Sequence, residues 1–472
     1  MRNAKRRVFL GTVEIAGFYT NLTEGLRRAG VDCTFVELSP HPFKYKHADV
    51  PLPAVVRVIR SLAAARGRLG EAATQRRSIV RLLYWLEVLP RLMVLLWAIV
   101  RFDVFCFGFR TNIVGERVGF WDIRLLRALG KRVICVFHGA DSRPPYLTGP
   151  YVRTLRAQSE SWPELLSKLT RKHKRIIKTL ERMADVTVSN PVYGHFHESS
   201  FVDIMQIGIP TCAGGQVVPN EVGVGKGENL VRILHAPSNR DAKGSDVIAR
   251  CIKRLQEQGY KIDYRELSGL PNDEVKRQLL DCDFVVDQLY SDGPMAGFAA
   301  EAAAYGKAAV VGGYLEDPTW TERVPTLYCH PKNLEAAIRK LLDDPSYRKD
   351  LGRRAQEFVT TSWSSLAVAK RFLRVIDDDV PDSWVFDPKN VSHLQGGGMD
   401  ESLLRDALTG LVTKFGRGVL ELEDKPRLRD LLLGLIRTNT EPPALAQVDP
   451  GWDRQGPVAP SIPKESSHET QH

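Results

Sequence analysis

Short apolar runs and amphipathic stretches alternate along most of the chain. In its first half, the apolar runs are RVFLGT, DCTFVEL, FDVFCFGF, RVICVFHG and VTVSNP. In its second half, they are LVRILHA, IDYREL, DFVVDQLY, AAVVGG and TLYCH. Apolar runs of this length are typical of strands buried on both faces, and the amphipathic stretches between them are typical of covering helices. The pattern therefore predicts an α/β fold with two Rossmann-like domains of parallel strands.

Breaks in this alternation indicate where the units of the chain begin and end. A stretch rich in Gly, Pro and Val predicts an interdomain linker, and a Pro- and Ser-rich end predicts a disordered tail. The predicted units are a first domain (1–210), a linker (211–228), a second domain (229–363), a closing helix (364–380), a further linker with a helical appendage (381–438) and the tail (439–472).

The most apolar stretch spans residues 78–101 and is interrupted by Arg81, Glu87, Pro90 and Arg91. Proline removes a helical hydrogen bond, so the stretch predicts two helices that meet near Pro90. Two interpretations stay open. The pattern favours helices that cover a parallel sheet, and the alternative is an interfacial contact with a membrane, anchored by the aromatic side chains of the stretch. A membrane span is not predicted, because no run of 18 apolar residues occurs.

Composition narrows the class of protein. Of the 472 residues, 43% are hydrophobic and 26% are charged, which is typical of a soluble globular protein. The seven cysteines form no C-x-x-C pair, so neither a zinc site nor a disulfide framework is predicted. The basic N-terminus has too few apolar residues for a signal sequence, and a reducing, cytoplasmic compartment is expected.

Charge is distributed unevenly along the chain. Residues 1–200 contain 33 Lys and Arg against 16 Asp and Glu, a net charge of +17, whereas the remaining residues carry −7. This excess favours an anionic partner for the first half, such as a membrane surface or an acidic substrate. Nucleic acid is not expected as a partner, because the basic helix predicted over 163–183 lacks interleaved aromatic residues.

Candidate chemistry is concentrated in residues 287–314, where a strand runs into a loop of small residues and then an Ala-rich helix that carries Glu301. A loop that opens a helix presents unpaired N–H groups and the positive end of the helix dipole to an anion such as phosphate. Gly293 and Gly297 would allow a ligand to approach this backbone closely. The alternative is an ordinary strand–loop–helix crossover in which Glu301 only compensates the helix dipole.

A second polar loop, residues 235–246, follows the first strand of the second domain. Arg240 and Lys243 lie in this loop just before the next helix, where two cations could neutralise a diphosphate. The alternative is a pair of surface charges on an ordinary loop.

The first domain carries its candidates after its strands. A loop from Gly11 to Gly17 includes Glu14 and lacks the G-x-G-x-x-G spacing, so a dinucleotide fingerprint is absent. His138, Asp141 and Arg143 follow a later strand, at the edge where parallel sheets place functional groups. A structural role for the histidine stays open.

Metal binding is not predicted. His195 and His197 have no evident third ligand. Asp281 and Asp283 have D-x-D spacing, but they lie at the start of a strand, away from the expected cleft.

Two βα domains joined by one linker form a cleft between their strand ends, and here the sequence resembles the GT-B glycosyltransferases of the family-4 type. The resemblance depends on HAPSNRDAKGSD, similar to the family's diphosphate-binding loop, and on CDFVVDQLYSDGPMAGFAAEAAAYGKAAVV, similar to its acidic loop and helix. GTVEIAGFYTNLTEGLRRAG and FHGADSR add weaker support. The similarity extends over about residues 7–376.

The resemblance implies roles for individual residues. Glu301 would hold the ribose hydroxyls of a nucleotide-sugar, Lys243 and Arg240 would contact its diphosphate, and His138 would lie near the transferred sugar. The family usually has a further glutamate where this chain has Gly293, and the neighbouring Asp292 could take its place. The predicted site is catalytic His138 and Asp292, donor-binding Arg240, Lys243, Gly293, Gly297, Phe298 and Glu301, and a first-domain cleft loop of Gly11, Glu14, Gly17, Asp141 and Arg143.

The predicted function is a retaining glycosyltransferase that moves a sugar from a nucleotide-sugar to an acceptor hydroxyl, without a metal or other cofactor. A carbohydrate or lipid-linked acceptor is expected, in surface polysaccharide or glycolipid synthesis at the inner face of a membrane. The alternatives are a nucleotide-sugar epimerase or phosphorylase of the same fold and a non-catalytic scaffold.

Overall fold

The computed structural model describes residues 6–39, 52–72, 77–139, 141–211 and 230–437. All but the first residue of the predicted interdomain linker, and the whole predicted tail, lie outside these ranges. The strands are β1 (Val8–Val13), β2 (Cys33–Ser39), β3 (Val104–Gly108), β4 (Arg132–Val136), β5 (Val186–Ser189), β6 (Phe201–Asp203), β7 (Val231–His235), β8 (Ile262–Glu266), β9 (Phe284–Val286), β10 (Ala308–Gly312), β11 (Leu327–Cys329) and β12 (Val385–Phe386).

The helices in the described part of the chain range from single turns to seven turns. They are α1 (Phe18–Arg28), α2 (Ala54–Ala72), α3 (Arg77–Arg101), α4 (Trp121–Ala128), α5 (Gly149–Gln158), α6 (Trp162–Met183), α7 (Ile204–Ile207), α8 (Arg240–Lys243), α9 (Ser245–Glu257), α10 (Asn272–Leu280), α11 (Gly297–Ala304), α12 (Pro318–Thr321), α13 (Leu334–Asp343), α14 (Pro345–Thr361), α15 (Ser365–Asp377), α16 (Glu401–Phe415) and α17 (Pro426–Arg437).

The strands form two separate sheets. The first has the order β12-β6-β5-β4-β3-β1-β2 and is parallel except for the edge strand β12, which pairs antiparallel with β6. The second has the order β11-β10-β9-β7-β8 and is parallel throughout. Each sheet is covered by helices, as parallel sheets require. The predicted α/β fold class with two Rossmann-like units is confirmed.

Alternate residues along the first sheet build two cores on its two faces. Phe9 and Phe105 face one core, to which α2, α3 and α6 contribute, whereas Leu10 and Cys106 face the other, which α1 and α15 cover. The continuous apolar runs of β1 and β3 are explained by this arrangement, since both sides of these strands are buried.

Pro90 lies inside one continuous helix, α3. The prediction of two helices that meet near Pro90 is therefore wrong. A proline costs the helix one backbone hydrogen bond and crowds the preceding turn. Packing of the inner face of α3 against α2 and the sheet, through Val94, Leu95 and Ala98, offsets this cost.

After the second sheet, the chain returns to the first domain. α15 packs on α1 so closely that a Cβ on Gly25 would lie 1.9 Å from the carbonyl oxygen of Ser365. The appendage, with α16 and α17, then packs beside α5 and α6.

The appendage covers part of the basic helix α6. Lys174 lies beneath it and donates from Nζ to Asp424 Oδ1 at 2.7 Å and to the carbonyl oxygen of Glu421 at 2.8 Å. Lys174 is therefore buried although it belongs to the basic helix, because the sequence pattern of one helix does not show what a segment 250 residues later covers.

The carboxyl ends of the two sheets meet. Arg143, which follows β4, forms an ion pair with Asp292, which follows β9, at 2.6 Å. A Cβ placed on Gly297 would lie 3.9 Å from Ala16 Cβ, in the loop after β1. These contacts bring the loops that carry the predicted site to the boundary between the domains.

Candidate active site

The second-domain part of the site begins with a compact loop before α11. Ser291 Oγ donates to the carbonyl oxygen of Gly293 at 2.6 Å and accepts from Gln288 Nε2 at 2.8 Å. A Cβ on Gly293 would meet nothing within 4 Å, and Gly297 is exposed. The loop therefore leaves open space in front of the first turn of α11, where the backbone N–H groups have no acceptor within the helix.

Lys243 is tied to this helix through a buried carboxylate. Its Nζ donates to Asp287 Oδ1 at 2.5 Å, and Asp287 Oδ2 accepts from the backbone N–H of Ala299 at 3.3 Å. Asp287 is fully buried directly after β9. Asp287 thus fixes the lysine against the first turn of α11, a role that the sequence analysis missed. The signal that could have revealed it is an acid immediately after a wholly apolar strand.

Glu301 lies in the second turn of α11 and is partly buried. Asn272 Nδ2 donates to its Oε1 at 2.8 Å. Burial raises the pKa of Glu301, and the charges of Lys243 and Lys276 act against this rise. Lys243 and Glu301 thus lie close enough for the lysine's charge to act on this carboxyl group.

Arg240 is placed differently from Lys243. It is half-exposed and pairs with Asp246 at 2.7 Å and with Glu266. Two acids thus already neutralise its charge at the rim of the site. Gly244, next to Lys243, has φ +71°, and a Cβ there would lie 2.9 Å from Leu289 Cβ, so this turn packs closely on the loop after β9.

Two predicted site residues do not face the cleft. Phe298 is buried in the second-domain core beside Leu234 and Met295, so its side chain is not available to a ligand and only its backbone remains near the loop. Gly11 is not in a loop: it lies inside β1, pairs with Val36 and Phe107, and would meet the carbonyl oxygen of Val36 at 2.8 Å if it carried a Cβ.

The loop after β1 is closed by its own carboxylate. Glu14 is buried, and its Oε1 accepts from the backbone N–H of Tyr19 at 3.1 Å, while its Oε2 accepts from the N–H of Thr20 at 2.9 Å and from the Thr20 hydroxyl. Gly17, with φ +79°, forms the turn into α1. The N-terminus of α1 is therefore already occupied by the carboxylate of Glu14, which takes two of its N–H groups, whereas at α11 Asp287 takes the N–H of Ala299.

His138 lies among aromatic side chains of the first domain. Its Nε2 lies 3.2 Å from the Tyr19 hydroxyl, and its ring centroid is 4.6 Å from that of Phe18. Burial lowers the pKa of His138 to about 3, so the ring is neutral at pH 7. A neutral imidazole can donate or accept a hydrogen bond but brings no charge to the site.

Asp141 holds the loop that carries His138. Its Oδ2 accepts from the backbone N–H of His138 at 2.8 Å, and its carbonyl oxygen lies 2.9 Å from His173 Nε2. Burial raises the pKa of Asp141 to about 7. A carboxyl group with such a pKa can exchange protons near neutral pH.

Asp292 is not available as a free carboxylate. Its Oδ1 accepts from Arg143 Nη2 at 2.6 Å and from the backbone N–H of Gly397 at 2.8 Å. The Arg143 side chain is only 1% exposed. The segment Gly396–Gly398, part of the predicted linker and appendage, thus lies in the cleft, where the carbonyl oxygen of Gly398 also accepts from Arg153 Nη1 at 2.8 Å.

The histidines near the first-domain core have separate partners. His195 Nε2 lies 2.7 Å from the carbonyl oxygen of His393, and His197 Nδ1 lies 2.9 Å from Glu181 Oε1. Among the described residues, no group of three or more His, Cys, Asp and Glu side chains could hold a metal ion.

No protein-family model matches the chain, and no curated protein sequence matches it significantly. Several solved structures are similar to it. A glycosyltransferase from Rickettsia africae has 12% sequence identity and a TM-score of 0.47, with 81% of this chain and 100% of that chain covered. An alpha-glucosyltransferase in complex with UDP has 13% identity and a TM-score of 0.43, with 79% and 100% covered.

A protein from Listeria monocytogenes assigned as a UDP-N-acetylglucosamine 2-epimerase has 13% identity and a TM-score of 0.41, with 79% of this chain and 96% of that chain covered. At these identities and TM-scores, the similarities assign neither a family nor an activity to this protein.

Proposed function

We propose that the protein is a GT-B-type glycosyltransferase that transfers a sugar from a nucleoside-diphosphate sugar to an acceptor hydroxyl. The observation that carries the proposal is the meeting of Lys243, the open first turn of α11 and Glu301 at the boundary with the first domain. A cation, free N–H groups and a carboxylate match the diphosphate and the ribose hydroxyls of such a donor.

Each group has a distinct proposed role. The N–H groups of Gly297 and Phe298 and the Lys243 ammonium receive the charge that develops on the leaving diphosphate. Asp287 positions the lysine, and Glu301 accepts hydrogen bonds from the ribose. Neutral His138, in the facing domain, contacts the transferred sugar. In this scheme, the protein's own cation and helix dipole stabilise the leaving group, and no metal ion is assigned a role.

The finer parts of the proposal depend on the motif resemblance. Family-4-type chemistry implies transfer with retention of configuration, through an acceptor bound on the first-domain side. A carbohydrate or lipid-linked acceptor, as in surface polysaccharide or glycolipid synthesis, agrees with the basic first half of the chain.

Donor binding tests the proposal directly. Calorimetry with UDP, GDP and dTDP should find one nucleoside diphosphate that binds the wild-type chain. Lys243→Ala should weaken this binding by roughly 10–100-fold, because a charge-assisted hydrogen bond to phosphate is lost. Lys253→Ala, which removes an exposed lysine from α9 in the same domain, should leave binding unchanged.

A second variant guards against misfolding. Lys243→Ala leaves Asp287 buried without its partner, so the double substitution Lys243→Met with Asp287→Asn removes both charges together. If this folded double variant binds the nucleoside diphosphate as tightly as the wild type, the proposed donor site is wrong.

Nucleotide-sugar epimerisation is a second candidate, because Asp141 is held in the same loop as His138 through its hydrogen bond from the His138 N–H. The pKa of Asp141, raised by burial to about 7, suits a group that removes and returns a proton on a bound sugar. Incubation of the bound nucleotide-sugar in D2O without acceptor decides between the two. Incorporation of deuterium at a sugar carbon by the wild type, and its absence in Asp141→Asn, would indicate an epimerase. If a parallel reaction with an added acceptor transfers the sugar and no deuterium is incorporated, the protein is a transferase.

A further inference from the structure

The outer face of α3 is apolar over its whole length. Eight large side chains on this face, spaced by three or four residues apart from the adjacent pair Trp85 and Leu86, are each between 47% and 78% exposed. They are Ile79, Leu82, Trp85, Leu86, Leu89, Met93, Leu96 and Val100. At a rise of 1.5 Å per residue, the face is about 32 Å long. Single exposed apolar residues are ordinary, but a continuous apolar face of this size marks an interaction surface.

Two charged residues in the middle of α3 point the opposite way, into the protein. Glu87 and Arg91 are buried, where Arg91 donates to Glu87 at 3.0 Å and Arg66 of α2 pairs with Glu87 at 3.3 Å. Arg91 also donates to the carbonyl oxygen of Ile113 at 3.1 Å. In a water-facing helix the charges lie outside and the apolar residues inside. The outer side of α3 is instead apolar, and two of its charged residues lie inside.

The covering role of α3 does not account for this face. Val94, Leu95 and Ala98 on its inner side already pack into the first-domain core, together with Val56 and Ile59 of α2. α3 therefore covers the sheet, as the favoured interpretation of the sequence expected, and still presents a second apolar face. By length and composition, Ile79–Arg101 also qualifies as a candidate membrane span, but only a third of that stretch is buried in the protein.

The charge around the face is strongly positive. Residues 52–101 contain nine arginines and two glutamates, and Arg91 and Glu87 are internal. Arg57 and Arg68 of α2 and Arg81 of α3 are exposed. Basic residues that flank an apolar helix face are the arrangement that binds anionic lipid headgroups.

We propose that the outer face of α3 docks into the interfacial region of an anionic lipid bilayer, with the helix parallel to the membrane plane. The helix lies on the membrane and does not cross it, because crossing would pull Glu87, Arg91 and the inner apolar residues out of the domain core. Trp85, exposed on the docking face, inserts at headgroup level. This inference goes beyond the proposed function and does not depend on it.

Vesicle sedimentation of the full chain tests the inference. We expect binding to vesicles of phosphatidylcholine mixed with phosphatidylglycerol and weaker binding to phosphatidylcholine alone. Leu89→Glu with Leu96→Glu should reduce binding to the mixed vesicles at least tenfold, since each exposed leucine contributes roughly that factor when buried. Leu280→Glu, at an exposed leucine of the second domain, is the matched control and should bind like the wild type.

The basic residues have their own variants. Arg57→Gln with Arg68→Gln should weaken binding to the mixed vesicles by about fivefold for each charge removed. The control Arg277→Gln with Arg353→Gln replaces two exposed arginines of the second domain and should leave vesicle binding unchanged. Vesicle binding should also shift tryptophan emission to shorter wavelength, and Trp85→Phe should remove most of this shift.

Three results would overturn the inference. One is the absence of binding to either vesicle type, and another is unchanged binding of the Leu89→Glu, Leu96→Glu variant. The third is a wild-type protein that does not bind vesicles and is a dimer in sedimentation velocity, while the Leu89→Glu, Leu96→Glu variant is a monomer. A second copy of the chain would then cover the face. All variants should keep their nucleoside diphosphate affinity, so a failed donor site and a failed membrane face are distinguishable.

Discussion

Asp287 organises the second-domain site although it touches no proposed ligand. Its two carboxylate oxygens join Lys243 to the first turn of α11, and it is fully buried. A buried carboxylate requires both partners, because an unpaired charge in a low-dielectric environment is strongly unfavourable. The position of Lys243, the cation proposed to contact a diphosphate, therefore depends on the residue behind it.

Asp287→Asn should lower the free energy of unfolding by about 2–4 kcal/mol, because Lys243 loses its charged partner and is itself mostly buried. Urea denaturation measures this change. Asp246→Asn removes an exposed carboxylate that pairs with Arg240 and should cost less than about 1 kcal/mol. Equal effects of the two substitutions would show that Asp287 has no special structural role.

Asp141 should make stability depend on pH. Its pKa is raised to about 7 in the folded chain, so the folded state keeps a proton that the unfolded state has already lost. The free energy of unfolding of the wild type should therefore fall relative to that of Asp141→Asn as pH rises from about 4 to about 7. Above pH 7 the difference between the two free energies should stay constant.

Urea denaturation of both proteins at a series of pH values measures this difference directly. Other groups with shifted pKa values, such as the buried His195, cancel in the comparison. A difference that is the same at pH 4 and pH 7 would contradict the proposed protonation of Asp141.

At the scale of elements, the segment Gly396–Gly398 connects parts that are distant in sequence. All three residues have positive φ, at +112°, +59° and +73°. A Cβ on Gly397 would lie 2.3 Å from Arg143 Nη1, and one on Gly398 would lie 2.9 Å from Ala242 Cα. Only glycine fits both the backbone conformation and the space at these positions.

Gly397→Ala should destabilise the protein by about 2–4 kcal/mol, because the left-handed backbone is strained and the buried Arg143 has to move. Gly130→Ala is the matched control, since Gly130 also has positive φ but would meet nothing within 4 Å. Its cost should be only the backbone cost of about 1 kcal/mol. If chemical denaturation shows that both substitutions lower the free energy of unfolding equally, the close packing around Gly397 does not contribute to the cost of Gly397→Ala.

The sequence pattern predicts elements well where one helix or strand carries its own signal. The strands of both sheets follow continuous apolar runs, and the loop before α11 was recognised from its small residues. The continuity of α3 through Pro90 was not predictable, because it depends on packing against α2 and the sheet. The burial of Lys174 depends in the same way on the appendage.

For the whole molecule, the domain boundary is held by contacts that no local pattern could reveal. The Arg143–Asp292 ion pair joins residues 149 positions apart, and Gly397 adds a third segment to it. Motifs alone propose Lys243 and Glu301 as site residues, whereas the positions of Asp287, Tyr19 and the glycine segment require the three-dimensional arrangement. Phe298 was misplaced because a helix start has both a cleft side and a core side.

Ala16→Cys combined with Gly297→Cys should form a disulfide between the domains. The Cβ positions are 3.9 Å apart, which suits disulfide geometry. Oxidation should slow entry of the nucleoside diphosphate, and reduction should restore it, because the bond holds the loop after β1 against the start of α11. Stopped-flow binding and mass spectrometry measure the two effects.

Ala16→Cys combined with Gly293→Cys serves as the control for this crosslink. Since a Cβ on Gly293 would have no neighbour within 4 Å, this pair should remain reduced. Equal crosslinking of both pairs would mean that the domains do not hold the relative position described.

Glu14 has a consequence for the kind of molecule that the first domain can receive. This carboxylate already accepts hydrogen bonds from the N–H groups in the first turn of α1, so a second negative group that binds near this helix end would be repelled. Under the proposed function, the two domains therefore divide their substrates by charge. The second receives the anionic end of the donor, and the first is selective for an acceptor that is uncharged at its reacting end.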